Sequence, residues 1–481
     1  MSKLIDRKVR AGLTGVSLLA LTACTTLGPN FKQPAAPTAP GYAMAGDRAA
    51  RVVVLSPEAR VSGPWWTAFG SAQLDQTVRL ALAGSPTIAE ADATLARAQA
   101  SALAQQAVGN PKVEGVASAQ RERINTQAFG FTGFPSPTIN LYSLGATVTY
   151  DLDLFGGQRR KVEAAQARAQ AEARRADAAY LTLTGDVVMQ AMKIAVLRAQ
   201  INAVQAMISD DQKTVDMVRR AQQAGGQAPS AITGGLAQQA QDEALLPPLQ
   251  RQLDAARHRL ALLVGKSPAK WTAPDFDVAD FQAPGAVPVS LPSALVRQRP
   301  DILAAEAEFH AATADIGVAQ AARYPDIRLT AGLTQATIAP ENIFSKDSSG
   351  WNLMAGLIGP IVPSKQLKSR QRAAEAEALA AQARYNATVL RAFVQVSDVM
   401  SNLANDQAAL TAQTKAQHAA EATLRDERKA MELGGGTLLA VVDAQRQVNL
   451  ARRNTVAVQG QGLSDTAELF TATAADWRVG S

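Results

Sequence analysis

The chain carries the same pattern twice. Residues 85–113 and 299–327 align at a constant offset of 214: Pro86 falls on Pro300, Ile88 on Ile302, Ala91 on Ala305, Gln106 on Gln320, Pro111 on Pro325 and Val113 on Ile327. Two prolines that keep their separation across an alanine-rich stretch are hard to obtain from composition alone, so the sequence predicts a tandem duplication. Past a loop seven residues longer in the first copy, the register resumes at an offset of 207, with Lys161 on Lys368, Val187 on Val394, Ser230 on Thr437 and Ala237 on Ala444. Any fold for this chain must be one that a single unit builds when it is made twice.

Each copy changes period part-way along. In residues 85–113 the first proline suits a helix start and the second ends the helix, which predicts a helix over 86–109. Residues 145–155 then alternate: Ala146, Val148, Tyr150, Leu152 and Leu154 share one side, Thr147, Thr149, Asp151 and Asp153 the other. In the second copy Trp351, Leu353, Ala355 and Leu357 oppose Asn352, Met354 and Gly356. Partner strands are predicted at Val113–Arg123 and Ile327–Ile338, so each copy holds one amphipathic hairpin. These strands approach the roughly 9 to 11 residues that a tilted transmembrane strand needs. A half-exposed sheet in a soluble domain alternates in the same way, so the pattern alone leaves both open. Four strands cannot close a barrel, because the smallest have about eight. Strands in lipid would therefore require several copies of the chain, since open edges there leave backbone groups unpaired.

Residues 158–223 contain no proline, and Val187, Ile194, Leu197, Ile201, Val204, Ile208, Val215 and Val218 step by threes and fours, interrupted at Gln190 and Asp211. That spacing predicts one helix roughly 100 Å long with a coiled-coil stripe. The second copy offers Val389, Ala392, Val396, Val399, Leu403 and Leu410 within 366–433. The long helices are expected to turn back at Gly225-Gly226 and Gly434-Gly435-Gly436, glycine tolerating a left-handed helix exit. In the first copy, helices over 86–109 and about 230–264 stacked end to end would match the long one. Hydrophobic content is 47% but aromatics are only 5%. Much of the apolar inventory is therefore alanine, which suits a wall of closely packed helices better than a compact core.

The first residues have the layout of an export signal. Lys3, Arg7, Lys8 and Arg10 form a basic region, Ala11 to Ala20 a short apolar one, and Leu21-Thr22-Ala23 precede Cys24, the one cysteine of the chain. The apolar run is too short to span a bilayer as a helix. Leu21-Thr22-Ala23-Cys24 resembles a bacterial lipobox, which implies that Cys24 is diacylated and becomes the first residue of the mature chain; Thr25 in place of Asp favours the outer membrane. One cysteine excludes a disulfide within the chain. Residues 1–23 carry four basic and one acidic side chain, so their removal lowers the formal charge from +6 to +3. So small an excess is no footprint of nucleic-acid binding.

The predicted organisation is a signal peptide over 1–23, a Pro-rich lipidated segment over 24–64, and a first repeat over 65–264 with its hairpin at about 112–155. A Pro- and aromatic-rich linker follows over 265–298, then a second repeat over 299–475 with its hairpin at about 326–362, and a tail over 476–481.

Catalysis finds no candidate residues. His258, His310 and His418 are widely spaced and form no His-x-x-x-His metal pair, and no Gly-x-Ser-x-Gly elbow occurs. Gly265-Lys266-Ser267 resembles the end of a phosphate loop, but the earlier glycine it needs is Leu260, and Pro268 follows. The sequence predicts no enzyme, no metal and no cofactor beyond the covalent lipid on Cys24.

Several segments together resemble the outer-membrane efflux channels of the TolC superfamily, in its lipoprotein branch. They are Leu27-Gly28-Pro29-Asn30-Phe31, Trp65-Trp66 with Phe69 and Leu74-Asp75, Arg297-Gln298-Arg299-Pro300-Asp301-Ile302 with Ala305-Glu306, and Asp443-Ala444-Gln445-Arg446. The resemblance covers nearly all of the mature chain, and the Arg-Pro-Asp-Ile segment is its most specific part. Asp153-Leu154-Phe155-Gly156-Gly157 also fits the family's turn after the strand, whereas Pro360-Ile361-Val362-Pro363-Ser364 in the second copy lacks the glycines. The resemblance implies a mainly α fold with a transmembrane β-barrel portion: a homotrimer whose twelve strands form one barrel in outer-membrane lipid, continued by a long periplasmic α-helical barrel. It implies a passive duct for small molecules such as drugs or other toxic compounds, served by a periplasmic adaptor and an inner-membrane RND-type transporter.

In similar channels the tube narrows at its periplasmic tip, and the matching positions here are Leu439, Asp443 and Arg446, spaced four and three apart on one helical face. The resemblance implies that Leu439 seals the aperture while Asp443 and Arg446 hold it shut. Their counterparts at the offset of 207 are Ile232, Leu236 and Gln239, so the charge comes from the second copy alone. Without the family, the residues favour a solvated surface pair contributing about 0 to 1 kcal/mol over a gate. The alternative function is a lipid-anchored periplasmic helical scaffold without a pore; display of loops 124–140 and 339–350 at the cell surface separates the two.

Overall fold

The computed structural model describes residues 26–37, 41–42, 44, 64–130, 132–226, 228–284, 292–360 and 365–474. Cys24, the signal segment, the tail and the Ile361 to Ser364 junction lie outside the described residues. A 3-10 turn at Trp65–Phe69 leads into helices α1 (Ala72–Gly84) and α2 (Pro86–Ala107), strands β1 (Lys112–Arg123) and β2 (Thr138–Leu152), and helices α3 (Gly157–Gln223), α4 (Pro229–Glu243) and α5 (Leu246–Leu263). After α6 (Pro292–Gln298) the order recurs as α7 (Pro300–Ala321), β3 (Asp326–Thr337), β4 (Ser349–Ile358), α8 (Lys365–Glu432) and α9 (Leu438–Ala472). The single helix expected over about 230–264 is two helices. Pro247 and Pro248 have no N–H to continue the α4 ladder, and both fit the first turn of a new helix.

The described residues form two compact units. The first takes the residues up to Pro34 with Thr94–Glu172 and Ala304–Tyr385, and the second takes Ala35–Ala93, Ala173–Leu303 and the chain from Asn386 onward.

The first unit holds one antiparallel sheet in the order β1-β2-β3-β4, so the two hairpins are joined through β2 and β3. Register aligns the predicted apolar sides: Val113 faces Val148, which faces Ala331, which faces Leu353. Tyr150, Leu329 and Ala355 form the next row, and Leu152, Ile327 and Leu357 the one after. The side is exposed as well as apolar, with Trp351, Leu353 and Leu357 at 81%, 76% and 68% of full accessibility. A continuous apolar sheet face left open to this degree marks contact with lipid or another chain. On the opposite side Arg328 Nε donates to Asp151 Oδ1 at 2.6 Å, closing β3 onto β2.

The second unit is organised by aromatic side chains and by the coiled-coil stripe. Trp65, Trp66, Phe69 and Phe470 are fully or almost fully buried. Trp65 stacks on Phe470 at 5.6 Å and donates its indole N–H to Thr184 Oγ1, while Trp66 donates to Asp75 Oδ1 at 3.0 Å. Along α3, Val187, Ile194, Leu197, Ile201, Val204, Val215 and Val218 are buried, as the threes-and-fours spacing requires. Helices α3 and α8 have 67 and 68 residues, each about 100 Å of helix. They stop at Gly225 and Gly434, both with φ of 79°. There the N–H of Gly226 bonds back to Ala221 and that of Gly435 to Ala430, each at 2.9 Å, which satisfies the last helical carbonyls.

Candidate functional site

Two clusters of the sequence motifs acquire a physical purpose, one in each unit. In the first unit, Arg160 in the opening turn of α3 is only 3% exposed and closes on the segment that follows Cys24. Its guanidinium donates to the Leu27 carbonyl at 3.0 Å, the Gly28 carbonyl at 3.1 Å and Asn30 Oδ1 at 2.7 Å, and pairs with Glu163 at 2.6 Å. Phe31 stacks on His310 of α7 at 4.4 Å, and His310 Nε2 lies 2.9 Å from Glu163 Oε1. Burial pushes the Glu163 carboxyl up, but hydrogen bonds from His310 and Arg160 outweigh it and hold it below the usual carboxylate range. The Leu27 N–H reaches the Phe155 carbonyl at 3.1 Å, three residues past the end of β2. Asp153 then caps α3, accepting from the N–H groups of Gln158 and Arg159. The Leu-Gly-Pro-Asn-Phe motif is thus the ligand of Arg160.

In the second unit the Arg-Pro-Asp-Ile motif has an equivalent logic. Arg299 grips Asp301 through two nitrogens at 3.0 and 2.8 Å, and its third nitrogen donates to Gln395 and to the Ala472 carbonyl. Pro300 opens α7 and Ile302 is fully buried. A cavity of about 330 Å³ beside Arg299 is lined by Asp186, Met189, Gln395, Glu468 and Thr471.

The proposed tip residues sit at the start of α9, also in the second unit. Leu439 is 67% exposed, and Asp443 and Arg446 are exposed on the same helix. Among the described residues Asp443 and Arg446 form no hydrogen bond or ion pair with each other; the charge of Arg446 instead acts on Asp211 of α3. The residue of this motif that ties helices together is Gln445. It donates to Asp210 of α3 at 2.9 Å and to Asn449 at 3.2 Å, and accepts from Arg428 of α8 at 2.7 Å. Ala444 is buried beside Val441, Val448 and Leu424. Leu439, Asp443 and Arg446 therefore project outward from a helix face whose other side is packed.

The family model described as outer membrane efflux protein matches residues 77–266 and 291–475. The chain belongs to the outer membrane efflux protein family. It is 27% identical to the pyoverdine export outer membrane protein OpmQ of Pseudomonas putida, over 96% of this chain and 97% of that one. It is 24% identical to the cation efflux system protein CusC of Escherichia coli over the same shares. Among solved structures, the outer-membrane channel OprN superposes with a TM-score of 0.85 at 24% identity, covering 94% of this chain and 100% of that one. The protein is accordingly the outer-membrane channel component of an efflux system, and the fold is that of these channels.

In this outer membrane efflux protein Arg160 ties α3 to the segment around Leu27 and Gln445 ties α9 to α3 and α8. Arg160 and Gln445 escape a sequence reading because each takes its meaning from partners remote in the chain. Asp211 did carry a signal: it interrupts an apolar stripe. Among the described residues no group of three or more His, Cys, Asp or Glu side chains is placed to hold a metal ion.

Proposed function

We propose that three copies of this efflux protein close their sheets into one twelve-stranded barrel in the outer membrane, each copy supplying two tandem helix-hairpin-helix repeats. The long helices continue that barrel as a periplasmic tube. The observation that carries this reading is the sheet itself. Its outer strands β1 and β4 each have one paired neighbour, and its exposed apolar rows run across the sheet. In lipid such edges leave backbone groups unpaired at several kcal/mol each, and four strands are too few to close on themselves. Three copies supply twelve strands and no edge.

Cys24 carries the lipid in this reading. Leu27, three residues further along the chain, is held by its N–H just past the end of β2. At the far end of the tube, Leu439 closes the aperture against water and Asp443 and Arg446 form polar contacts between neighbouring copies. The duct accepts its cargo from an RND-type inner-membrane pump through a periplasmic adaptor. The relatives' names specify pyoverdine in one case and cations in the other, which supports a duct whose selectivity comes from the pump.

The test is the mass and conductance of the mature protein purified in detergent. A particle of three chains that conducts in a planar bilayer, with conductance raised by Asp443→Ala together with Arg446→Ala, supports both the trimer and the gate. A single non-conducting chain overturns the barrel, and unchanged conductance in the double variant overturns the gate alone. Labelling of loops 124–140 and 339–350 on intact cells separates the channel from a periplasmic scaffold.

A further inference from the structure

Both long helices break their apolar stripe with an aspartate. Along α3 the step from Ile208 to Val215 passes through Asp211, and along α8 the step from Leu403 to Leu410 passes through Asp406. Each meets a second carboxyl on the helix packed against it: Asp211 lies within hydrogen-bond reach of Asp242 on α4, and Asp406 of Asp465 on α9. Asp242 and Asp465 are 7% and 4% exposed. Gln238 donates to Asp242 at 3.1 Å and Gln461 to Asp465 at 2.9 Å, each from within the same helix. Among the described residues the long-helix partners have no such donor. Asp211 Oδ2 and Asp406 Oδ2 are both buried without a hydrogen-bond partner among the described residues.

Asp211 and Asp406 are half-buried, but the oxygens they bury face a buried carboxyl, and two carboxylates in contact there do not both stay ionised. One proton held between them supplies the donor that the orphaned oxygen lacks and removes the repulsion. The repeat does not explain the coincidence, because at the offset of 207 Asp211 and Asp242 fall on His418 and Asn449, while Asp465 and Asp406 fall on His258 and Ala199. The same chemistry is assembled at two seams from unrelated positions.

We propose that Asp211–Asp242 and Asp406–Asp465 are proton-held latches, each fastening a returning helix to a long helix and releasing it as pH rises. The charged groups facing the first latch are Asp210 of α3, itself held by Gln445 and Lys213, and Arg446 of α9. At the second, Asp406 is the one charged group among the described residues that acts on Asp465. Burial, then the bond to Asp242, pushes Asp211 up to about 7, with Asp210 adding to the effect and Arg446 opposing it. Burial, then Asp406, pushes Asp465 up to about 6. Both lie above the ordinary value of 3.8 that an opened seam restores. The closed seam therefore holds a proton that the open one gives up. Its strength is complete below that ordinary value and falls as pH rises through about 6 at one seam and about 7 at the other. The latches concern the seams alone and stand whether or not Leu439, Asp443 and Arg446 close a pore.

Hydrogen exchange of the full mature chain in detergent, compared at pH 5 and pH 8 after correction for the intrinsic rate, tests this directly. Peptides from α4, and from α9 around Asp465, should lose protection by about tenfold or more at pH 8. Asp242→Asn places a permanent amide donor against Asp211, so it should remove the pH dependence of α4 while leaving the Asp465 seam unchanged. Asp465→Asn should do the reverse. Protection that is flat in the native chain, or equally pH-dependent in native and variant chains, overturns the proposal. Should a variant fail to fold, infrared spectra of the native chain decide. A protonated-carboxyl band present at pH 5 and lost by pH 8 supports the latches, and its absence at pH 5 overturns them.

Discussion

The two copies return along their long helices in different ways. In the first, α4 ends at Glu243 and α5 starts at Leu246; in the second, α9 runs unbroken for 35 residues. At the offset of 207 the paired prolines Pro247 and Pro248 become Asn454 and Thr455, and Thr455 is buried with its hydroxyl bonded back to the Ala451 carbonyl. Further along, Leu253 becomes Gly460. Leu253 is buried, whereas Gly460 lies so close to α3 that a Cβ placed on it would meet Val196 Cγ2 at 2.1 Å. One copy fills its seam with a side chain on a broken helix; the other brings an unbroken backbone into contact. Two returns in the same sequence register are thus free to trade a side chain for a close approach. The unbroken version is also the one whose first turns carry Leu439, Asp443 and Arg446.

Transplanting residues between the copies sharpens this comparison, and Gly460→Leu should have the largest effect. The added side chain has no space against Val196, so α9 must shift away from α3, with an expected loss of about 3 kcal/mol. A lowered thermal midpoint of the purified protein, with exchange protection lost around 455–465, is the expected result. Leu253→Ala works in the opposite sense by leaving a cavity, and should cost about 2 to 3 kcal/mol with the loss confined to α5. Equal and global destabilisation by both changes would mean that the two seams are not built differently.

The same contrast marks what is legible in the sequence. Elements are readable wherever neighbours in the chain determine them: Pro86 and Pro300 open their helices, the alternation in β2 is matched in register across three strands, and the returns fall at Gly225 and Gly434. The pairing of β2 with β3 is not readable, because a slip of two residues keeps every side chain on its side and only partners such as Asp151 and Arg328 select the register. At the candidate tip, spacing alone puts Leu439, Asp443 and Arg446 on one face. The role of Gln445 between them is invisible until Asp210 and Arg428 arrive from other helices. Asp211 and Asp406 lie between these cases. Each is a visible fault in an apolar stripe, but its partner is not.

The smallest expected effect comes from joining the broken return. Pro247→Ala with Pro248→Ala restores two backbone N–H groups, which can bond to the carbonyls of Glu243 and Ala244 and carry α4 into α5. The loss of two prolines from the first turn of α5 frees the unfolded chain slightly while the new bonds offset it, so stability should change by less than about 1 kcal/mol. The informative readout is local: amides of 244–248 should gain protection, and circular dichroism should gain only a few helical residues. If the double variant behaves so, the break is a matter of local chain chemistry, and the two returns differ because of two prolines. If the amides stay as exposed as before, packing on either side of Leu245 bends the chain there. Asp242, whose carboxyl faces Asp211 three residues ahead of the break, would then be the first tie to examine.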